Sequence, residues 1–433
     1  MSYLALSFVA AGVAAPIWGR ARMGEFLAPA PLIVSVWSLT FGLYLLRLLP
    51  YAPPGANAVA AIVVGMAMLL LGIRLGWRWT VSRPQAPVEE KPSSAAAWII
   101  GYGAAGLLGL AWYVYLVHQK LGLEAFAGGE IRRALQSHTI PSSFLFLEFF
   151  CIATPLVGVA AALSGQRLRA RHWFIMAACC LGTWISTDRT QFFTIVLAVF
   201  FMYVYRHGRT LSFTGFCAAG AIAAVLLAAN FIIVAEWMGK SGEKLGYRIA
   251  EDDAWARRGD GSSLAVRAAP FYLYATGSYA ALSVWADEEH PKTYGLRAIY
   301  PVARLLQRAH LLPVGLPRAV LEFVPVLRTH DGRTLDFNGY TFLYYPLQDF
   351  GLVGVVFYCL AIGVAAGAVH RRVTLRRDSA LWLLVMSQIA IGLVLSVFVN
   401  KFNNTASWYI LVVTVAPFLP LKPAIRVWAR KPC

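Results

Sequence analysis

The sequence predicts an all-α polytopic membrane protein with about eleven transmembrane helices and one large extracytoplasmic loop. The chain of 433 residues is 59% hydrophobic and only 14% charged, and its mean hydropathy is +0.61. Apolar runs long enough to cross a hydrocarbon core of roughly 30 Å recur along its length. These observations together exclude an ordinary soluble core.

Eleven apolar segments are predicted as spans within a single integral membrane domain, 1–433. They lie near 2–18, 30–50, 57–77, 95–117, 141–163, 172–187, 189–205, 212–234, 341–369, 379–398 and 404–421. The segment 236–340, between spans eight and nine, forms the predicted large extracytoplasmic loop. A loop of that length is too long for a simple connector, and such loops usually carry function.

The distribution of basic residues predicts the orientation of the spans. The formal net charge of +17 could suggest a nucleic-acid binder. However, alternate short loops collect 19 of the Lys and Arg residues and only four acidic ones, which gives +15 on one side. Short loops with this bias are typical of the cytoplasmic side of a membrane protein. Nucleic acid is therefore not an expected partner, and membrane lipids are.

The stretch "STDRTQFF" (186–193) places Asp188 and Arg189 between two apolar runs. One helix from Trp173 to Tyr205 would be about 50 Å long, well beyond the hydrocarbon thickness. The sequence therefore predicts two spans joined by a very tight turn. Because each arm is slightly short, the tip is expected to lie below the membrane surface, where a charge pair indicates a functional site. A solvated hairpin turn is the alternative.

Three arginines in the large loop recur at helical spacing. Arg297, Arg304 and Arg308 are separated by seven and four residues, which predicts one helical face. An apolar helix with such a stripe suits a phosphate-bearing lipid, because a guanidinium binds phosphate oxygens in a bidentate manner. Binding of ordinary lipid headgroups is the alternative.

The entrance to span nine is dense in polar groups. Asn338, Tyr340, Thr341 and Asp349 occur within twelve residues, and such groups can line a sugar-binding cleft because sugar hydroxyls require donors and acceptors. Asp349 could instead cap or charge the first turn of the span.

These segments resemble the oligosaccharide repeat-unit polymerases, the Wzy-type polymerases of O-antigen and exopolysaccharide synthesis. "FNGYTFLYYPLQDFGLVG" (337–354) looks like their N-x-Y-T…D-F-G-x-x-G segment, and "STDRTQFF" is similar to their S-x-x-R-T turn. "SVFVNKFNN" (396–404), which contains Asn400, resembles their late S-x-F-x-N element. The motifs cover about 35 residues, while span number and loop order fit over the whole chain.

The resemblance implies a GT-C-like glycosyltransferase in the bacterial inner membrane, with its active face extracytoplasmic. It would join polyprenyl-diphosphate-linked oligosaccharides, which serve as both donor and acceptor, and a chain-length regulator protein is an implied partner. Arg189 would face the diphosphate leaving group, with Asp188 as its orienting partner. Arg297, Arg304 and Arg308 would also bind the diphosphate. Asn338, Tyr340, Thr341, Asp349 and Asn400 would bind sugar.

Neither a metal nor another cofactor is expected. The first outer loop, "PYAPPGAN", contains no acidic residue, whereas the metal-dependent GT-C enzymes resemble one another in carrying an acidic motif there. "EDD" (251–253) and "DEEH" (287–290) could hold a cation, or they could be solvated turns.

The general base for the acceptor hydroxyl is left open between Glu148, Asp188, His290 and His310. Glu148 is predicted about 10 Å inside span five, deep enough to raise the pKa of a carboxyl group. A neutral or helix-paired carboxyl is the alternative for Glu148.

The sequence is compatible with two other functions. An O-antigen ligase, which transfers the finished glycan to lipid A-core or protein, would use the same arginine chemistry with a different acceptor. A lipid-linked-sugar flippase or transporter should instead carry polar residues through many spans.

Overall fold

A computed structural model describes residues 2–48, 51, 53–80, 95–122, 145–185, 189–237, 264–308, 326–328, 334–336 and 339–419. Fourteen α-helices occur in these ranges. They are α1 (Ser2–Met23), α2 (Pro29–Leu46), α3 (Ala56–Trp79), α4 (Ala95–Leu121), α5 (Leu145–Leu163), α6 (Ala170–Ile185), α7 (Arg189–His207), α8 (Phe213–Trp237), α9 (Leu264–Ala286), α10 (Tyr300–Arg308), α11 (Tyr344–Phe350), α12 (Leu352–Leu375), α13 (Ala380–Leu395) and α14 (Thr405–Val415).

Short elements complete the described parts of the chain. Three 3-10 helices span Gly208–Thr210, Lys401–Asn403 and Ala416–Phe418. The strands β1 (Val326–Arg328) and β2 (Thr334–Asp336) form an antiparallel pair in which Leu327 lies opposite Leu335. Apart from this pair, the described secondary structure is helical, in agreement with the predicted class.

Among the described helices, six are long and apolar enough to cross a membrane. The qualifying segments are Tyr3–Met23, Pro29–Leu46, Ala56–Trp79, Ala95–Leu121, Phe213–Asn230 and Leu352–Leu375. Three shorter apolar helices are Leu147–Leu163, Ala380–Leu395 and Thr405–Phe418. These helices identify a multi-pass membrane protein. The predicted number of eleven spans exceeds the six and stays a prediction, as does the orientation.

The predicted span nine, 341–369, contains two helices. Helix α11 ends at Phe350, and α12 begins at Leu352. Gly351 between them has φ 65°, a left-handed conformation that glycine adopts without steric cost. A Cβ on Gly354 would lie 2.2 Å from the carbonyl oxygen of Pro346, so the two helices meet at a very close corner.

The predicted large loop contains a long helix. Of segment 236–340, α9 occupies Leu264–Ala286 and packs against α2 and α3. The Tyr279 hydroxyl lies 3.1 Å from Thr40 Oγ1, and the ring of Tyr279 lies edge-on to Trp37. Trp37 and Tyr279 are both buried in the main core. A substantial part of this segment is therefore built into the helical bundle.

Helices α3 and α12 form the most intimate packing in the bundle. A Cβ on Gly72 would lie 2.4 Å from the carbonyl oxygen of Leu360, and one on Gly363 would lie 2.4 Å from that of Leu69. Small residues allow this approach, which replaces the missing hydrophobic drive between helices in lipid with van der Waals contact. The two helices thus form a rigid support for α11, which precedes α12.

Candidate functional site

Two of the polar segments singled out in the sequence lie side by side. The amide N–H of Tyr340 donates to the carbonyl oxygen of Phe398 at 2.9 Å, and that of Phe342 donates to Ser396 at 2.8 Å. Trp37 Nε1 donates to Ser396 Oγ at 2.8 Å. Segments 337–354 and 396–404 are therefore joined by main-chain hydrogen bonds at one end of the bundle.

Asp349 lies in the last turn of α11 and organises the chain before α10. Its Oδ1 accepts hydrogen bonds from Thr293 Oγ1 at 2.5 Å and from the Arg297 amide at 3.1 Å. Its Oδ2 accepts one from the Ala298 amide at 2.9 Å. Because Asp349 is only 1% exposed, these bonds satisfy a carboxylate that is otherwise costly to bury. Asp349 caps the turn at 293–298. The alternative, a cap on the first turn of span nine, is not observed, because the N-cap residue of α12 is Gly351 and no side chain caps it.

Arg297 is buried beside this carboxylate, with 4% of its surface exposed. Its Nε donates to Gln348 Oε1 at 2.9 Å, and its guanidinium carbon lies 5.3 Å from the centre of the Tyr345 ring. Asn403 Nδ2 donates to its carbonyl oxygen. Burial lowers the pKa of Arg297, but a guanidinium stays protonated in proteins. The site therefore holds a fixed positive charge.

The predicted arginine stripe is not continuous. Helix α10 begins at Tyr300, so Arg297 precedes it in a turn, and the expectation of one helical face is wrong for this residue. Asp349 holds the turn through main-chain N–H groups, which is why the helix does not extend back to Arg297. Arg304 and Arg308 lie within α10, but their side chains are outside the described part of the structure.

Tyrosine and asparagine side chains surround this charge. The hydroxyls of Tyr340 and Tyr345 lie 2.8 Å apart. Asn400, 1% exposed, contacts the Tyr358 hydroxyl through Nδ2 at 3.0 Å, and its Oδ1 accepts from the Asn403 amide at 3.2 Å. Asn400 thus caps the 3-10 helix Lys401–Asn403.

Thr341 adds an unsatisfied hydroxyl to this end of the bundle. Thr341 is fully buried, and its hydroxyl has no hydrogen-bond partner among the described residues. Four sequence-selected residues, Arg297, Tyr340, Asp349 and Asn400, belong to the bonded network around the two segments.

Helix α7, which begins within the third selected segment, borders the segment 396–404. Helix α6 ends at Ile185 and α7 begins at Arg189, which confirms the predicted break between two helices. Thr194, on α7, lines a cavity of about 80 Å³ together with Lys401 and Phe402. The helix headed by Arg189 therefore borders the segment that carries Asn400. Asp188 and the side chain of Arg189 lie outside the described residues.

The remaining candidates are located elsewhere or are not described. Glu148 is fully buried on α5, where a Cβ on Gly109 of α4 would lie 3.3 Å from its amide nitrogen. His290 Nε2 lies 2.9 Å from the carbonyl oxygen of Trp285, and the two rings stack at 4.3 Å. Asn338, His310 and "EDD" (251–253) fall outside the described residues.

No described residues form a group of three or more His, Cys, Asp or Glu that could hold a metal ion. Within "DEEH", Asp287 Oδ1 accepts a hydrogen bond from Asn57 Nδ2 at 3.5 Å. This contact ties the acidic turn to the start of α3.

Sequence reasoning missed Gln348, Asn403, Thr293 and Lys401. Gln348 directly precedes Asp349, and Asn403 stands in the quoted "SVFVNKFNN", so proximity to a selected residue was an available signal. Nothing in the local sequence pairs Thr293 with Asp349, since 56 positions separate them.

A second buried charge cluster joins loops that were predicted to lie on the opposite, cytoplasmic side. Glu25 Oε2 lies 2.7 Å from His370 Nε2, and Glu25 Oε1 accepts from Arg377 Nη2. Arg377 Nη1 also donates to the carbonyl oxygen of Tyr205 at 2.9 Å. Burial opposes the ionisation of Glu25, but the hydrogen bonds and charges of His370 and Arg377 outweigh it and lower the pKa of Glu25.

Comparison of the chain with models of protein families, with curated proteins and with solved structures finds no match.

Proposed function

We propose that this chain is a membrane glycosyltransferase that polymerises polyprenyl-diphosphate-linked oligosaccharide repeat units on the outer face of the bacterial inner membrane. One observation carries the proposal. Two of the three segments on which the resemblance rests are joined by main-chain hydrogen bonds beside the buried cation Arg297, and α7, which begins at Arg189, borders a cavity that is also lined by Lys401 and Phe402 of the second segment. A group of polar residues beside a fixed cation suits a substrate that joins a glycan to a diphosphate.

The chemistry assigned to the arginines follows from the leaving group. When an acceptor sugar hydroxyl attacks the anomeric carbon of the donor, the bond to the polyprenyl diphosphate breaks and negative charge grows on that diphosphate. A positive group fixed in advance stabilises this charge, and one well-placed donor lowers the activation barrier by roughly 3–4 kcal/mol. Arg297 is fixed by Gln348 and Tyr345, and Arg189 is assigned the same role at the start of α7.

The neutral groups are assigned to the sugar. The Tyr340 and Tyr345 hydroxyls and the Asn400 amide offer donors and acceptors within one network, and Thr341 adds a buried hydroxyl. Asp349 is assigned to positioning, because Thr293 and the amides of Arg297 and Ala298 occupy its carboxylate oxygens. For the general base, the candidates remain Glu148, Asp188, His290 and His310.

The test is polymerisation by purified protein in lipid vesicles, followed as a ladder of products on lipid-linked repeat units. Arg189→Ala should lower the rate about 100-fold, and Arg189→Lys should stay badly impaired because a lysine cannot form the bidentate fork. Arg167→Ala, at an exposed position in a predicted cytoplasmic loop, is the matched control. If Arg189→Ala polymerises like the wild type, the assignment of Arg189 fails.

The same assay tests the expectation that no metal is needed. The ladder should persist in excess EDTA. Loss of the ladder in EDTA, restored by magnesium or manganese, would contradict the expectation of a metal-free reaction. The segments "EDD" and "DEEH" would then be the candidate metal ligands. Transfer to lipid A-core without any ladder would identify a ligase instead.

A further inference from the structure

A cavity of about 80 Å³ lies between α7, α13 and α14, and it is lined by both polar and apolar residues. At its polar part are Thr194, Gln388, Lys401 and Ser407. Arg297 is not among the lining residues. The cavity is therefore separate from the place where Arg297 is held.

The polar part is rich in hydrogen-bond donors. The Gln388 Nε2 atom is buried and has no acceptor among the described residues, and a buried donor without an acceptor costs about 1–3 kcal/mol. Lys401, half-buried in the 3-10 helix after Asn400, adds a positive charge. An amide N–H, an ammonium and two hydroxyls lining one cavity match an anion with several acceptor oxygens, and phosphate is such an anion.

Phe402, Ile389, Ile410, Leu411 and Trp408 form an apolar wall of the cavity. The indole of Trp408 is fixed by a hydrogen bond from Nε1 to the carbonyl oxygen of Phe402 at 2.9 Å, and the residue is 48% exposed. A ligand that places its anionic end at Lys401 can therefore lay a hydrocarbon chain along this wall.

We infer that this cavity binds the phosphate end of a polyprenyl diphosphate, with the first isoprene units against Trp408 and Phe402. The inference rests on the proposed function, in which donor and acceptor are both lipid-linked and each needs a headgroup site. Arg297 holds the donor diphosphate, and the cavity at Lys401 holds the acceptor diphosphate. Asn403 connects the two sites, since it follows Lys401 by two residues and donates to the Arg297 carbonyl oxygen.

The test is equilibrium binding of labelled farnesyl diphosphate to the full chain in detergent, with the number of molecules bound per chain as the readout. The wild type should bind two, and Lys401→Gln and Arg297→Gln should each bind one. Gln388→Leu should keep two but weaken one of them several-fold. Lys120→Gln, an exposed lysine on α4, should match the wild type, and melting temperatures establish that each variant is folded.

The competitors decide which part of the ligand matters. Farnesol and inorganic diphosphate should each displace the label from the Lys401 site at least tenfold less well than unlabelled farnesyl diphosphate, because each lacks one half of the ligand. Equal displacement by phosphatidylglycerol would overturn the inference. Binding of two molecules by a folded Lys401→Gln variant would also overturn the inference. If that variant still polymerises, the proposed function stands. A wild type that binds no farnesyl diphosphate would reject both.

Discussion

Glu25 and Asp349 are buried carboxylates in two distant parts of the bundle, and they are stabilised in different ways. Glu25 meets the side chains of His370 and Arg377, so charge faces charge. Asp349 meets a hydroxyl and the amides of Arg297 and Ala298. In the second case the nearby arginine side chain is held by the amide oxygen of Gln348.

On the proposed function, this difference distinguishes a structural cluster from a binding cluster. An ion pair between side chains joins loops, and each charge is neutralised by its partner. A carboxylate that accepts from main-chain N–H groups fixes the backbone, here the turn that carries Arg297. We therefore expect the Glu25 cluster to determine stability and the Arg297 cluster to determine activity.

The largest effect is expected from breaking the ion pair. Glu25→Ala leaves His370 and Arg377 without their carboxylate, and removing one member of a buried pair costs about 3–5 kcal/mol. The variant should unfold at a clearly lower temperature in detergent. Asp378→Ala, at an exposed carboxylate one residue from Arg377, should unfold like the wild type. Equal melting temperatures for Glu25→Ala and the wild type would remove the structural assignment.

Replacement of the buried cation should act on the rate instead. Arg297→Gln should reduce polymerisation about 100-fold, since it removes a fixed charge from the leaving group, and Arg297→Lys should recover only part of the rate. The melting temperature should change much less than in Glu25→Ala. A variant that loses stability and activity in parallel would show that both clusters are structural.

A smaller change is expected at Asp349. Asp349→Asn keeps the shape but presents an NH₂ group to one of the amides that the carboxylate accepts from, at a cost of about 1–3 kcal/mol for a buried donor left unsatisfied. The turn that carries Arg297 should shift, and polymerisation should fall about tenfold with a modest loss of stability. Asp287→Asn, at an exposed position, is the matched control. Wild-type rates in Asp349→Asn would contradict a positioning role.

The smallest effect is expected from acid. The pKa of Glu25 is lowered from its ordinary value of 4.5, so its contribution to stability is fully present above that value and is lost as the pH falls through the lower, folded-state pKa. The melting temperature of the wild type should therefore drop below about pH 4.5, more steeply than that of Glu25→Gln. Parallel pH profiles for the two proteins would show that Glu25 does not couple stability to pH.

Apolar length determined most helix boundaries in advance. The predicted span 57–77 corresponds to α3, Ala56–Trp79, and 95–117 corresponds to α4, Ala95–Leu121. The break before Arg189 was predictable for the same reason, because one helix would have been too long for the membrane. The hydrophobic pattern is local, and it states where a helix begins and ends.

Where the prediction failed, a contact between distant residues decided the outcome. The helix Leu264–Ala286 lies within the segment that was predicted as a loop, and its burial depends on its packing against α2 and α3.

By itself, the sequence determined a multi-pass helical protein and the separation of α6 from α7, because composition and hydrophobic length are local properties. Only the tertiary structure decided that Asp349 caps the turn of Arg297, 52 positions away. Tertiary structure likewise brought Lys401 to a cavity beside α7. Hydrogen bonds and cavities of this kind form between elements that are far apart in sequence. No local pattern in the sequence specifies which residues will meet.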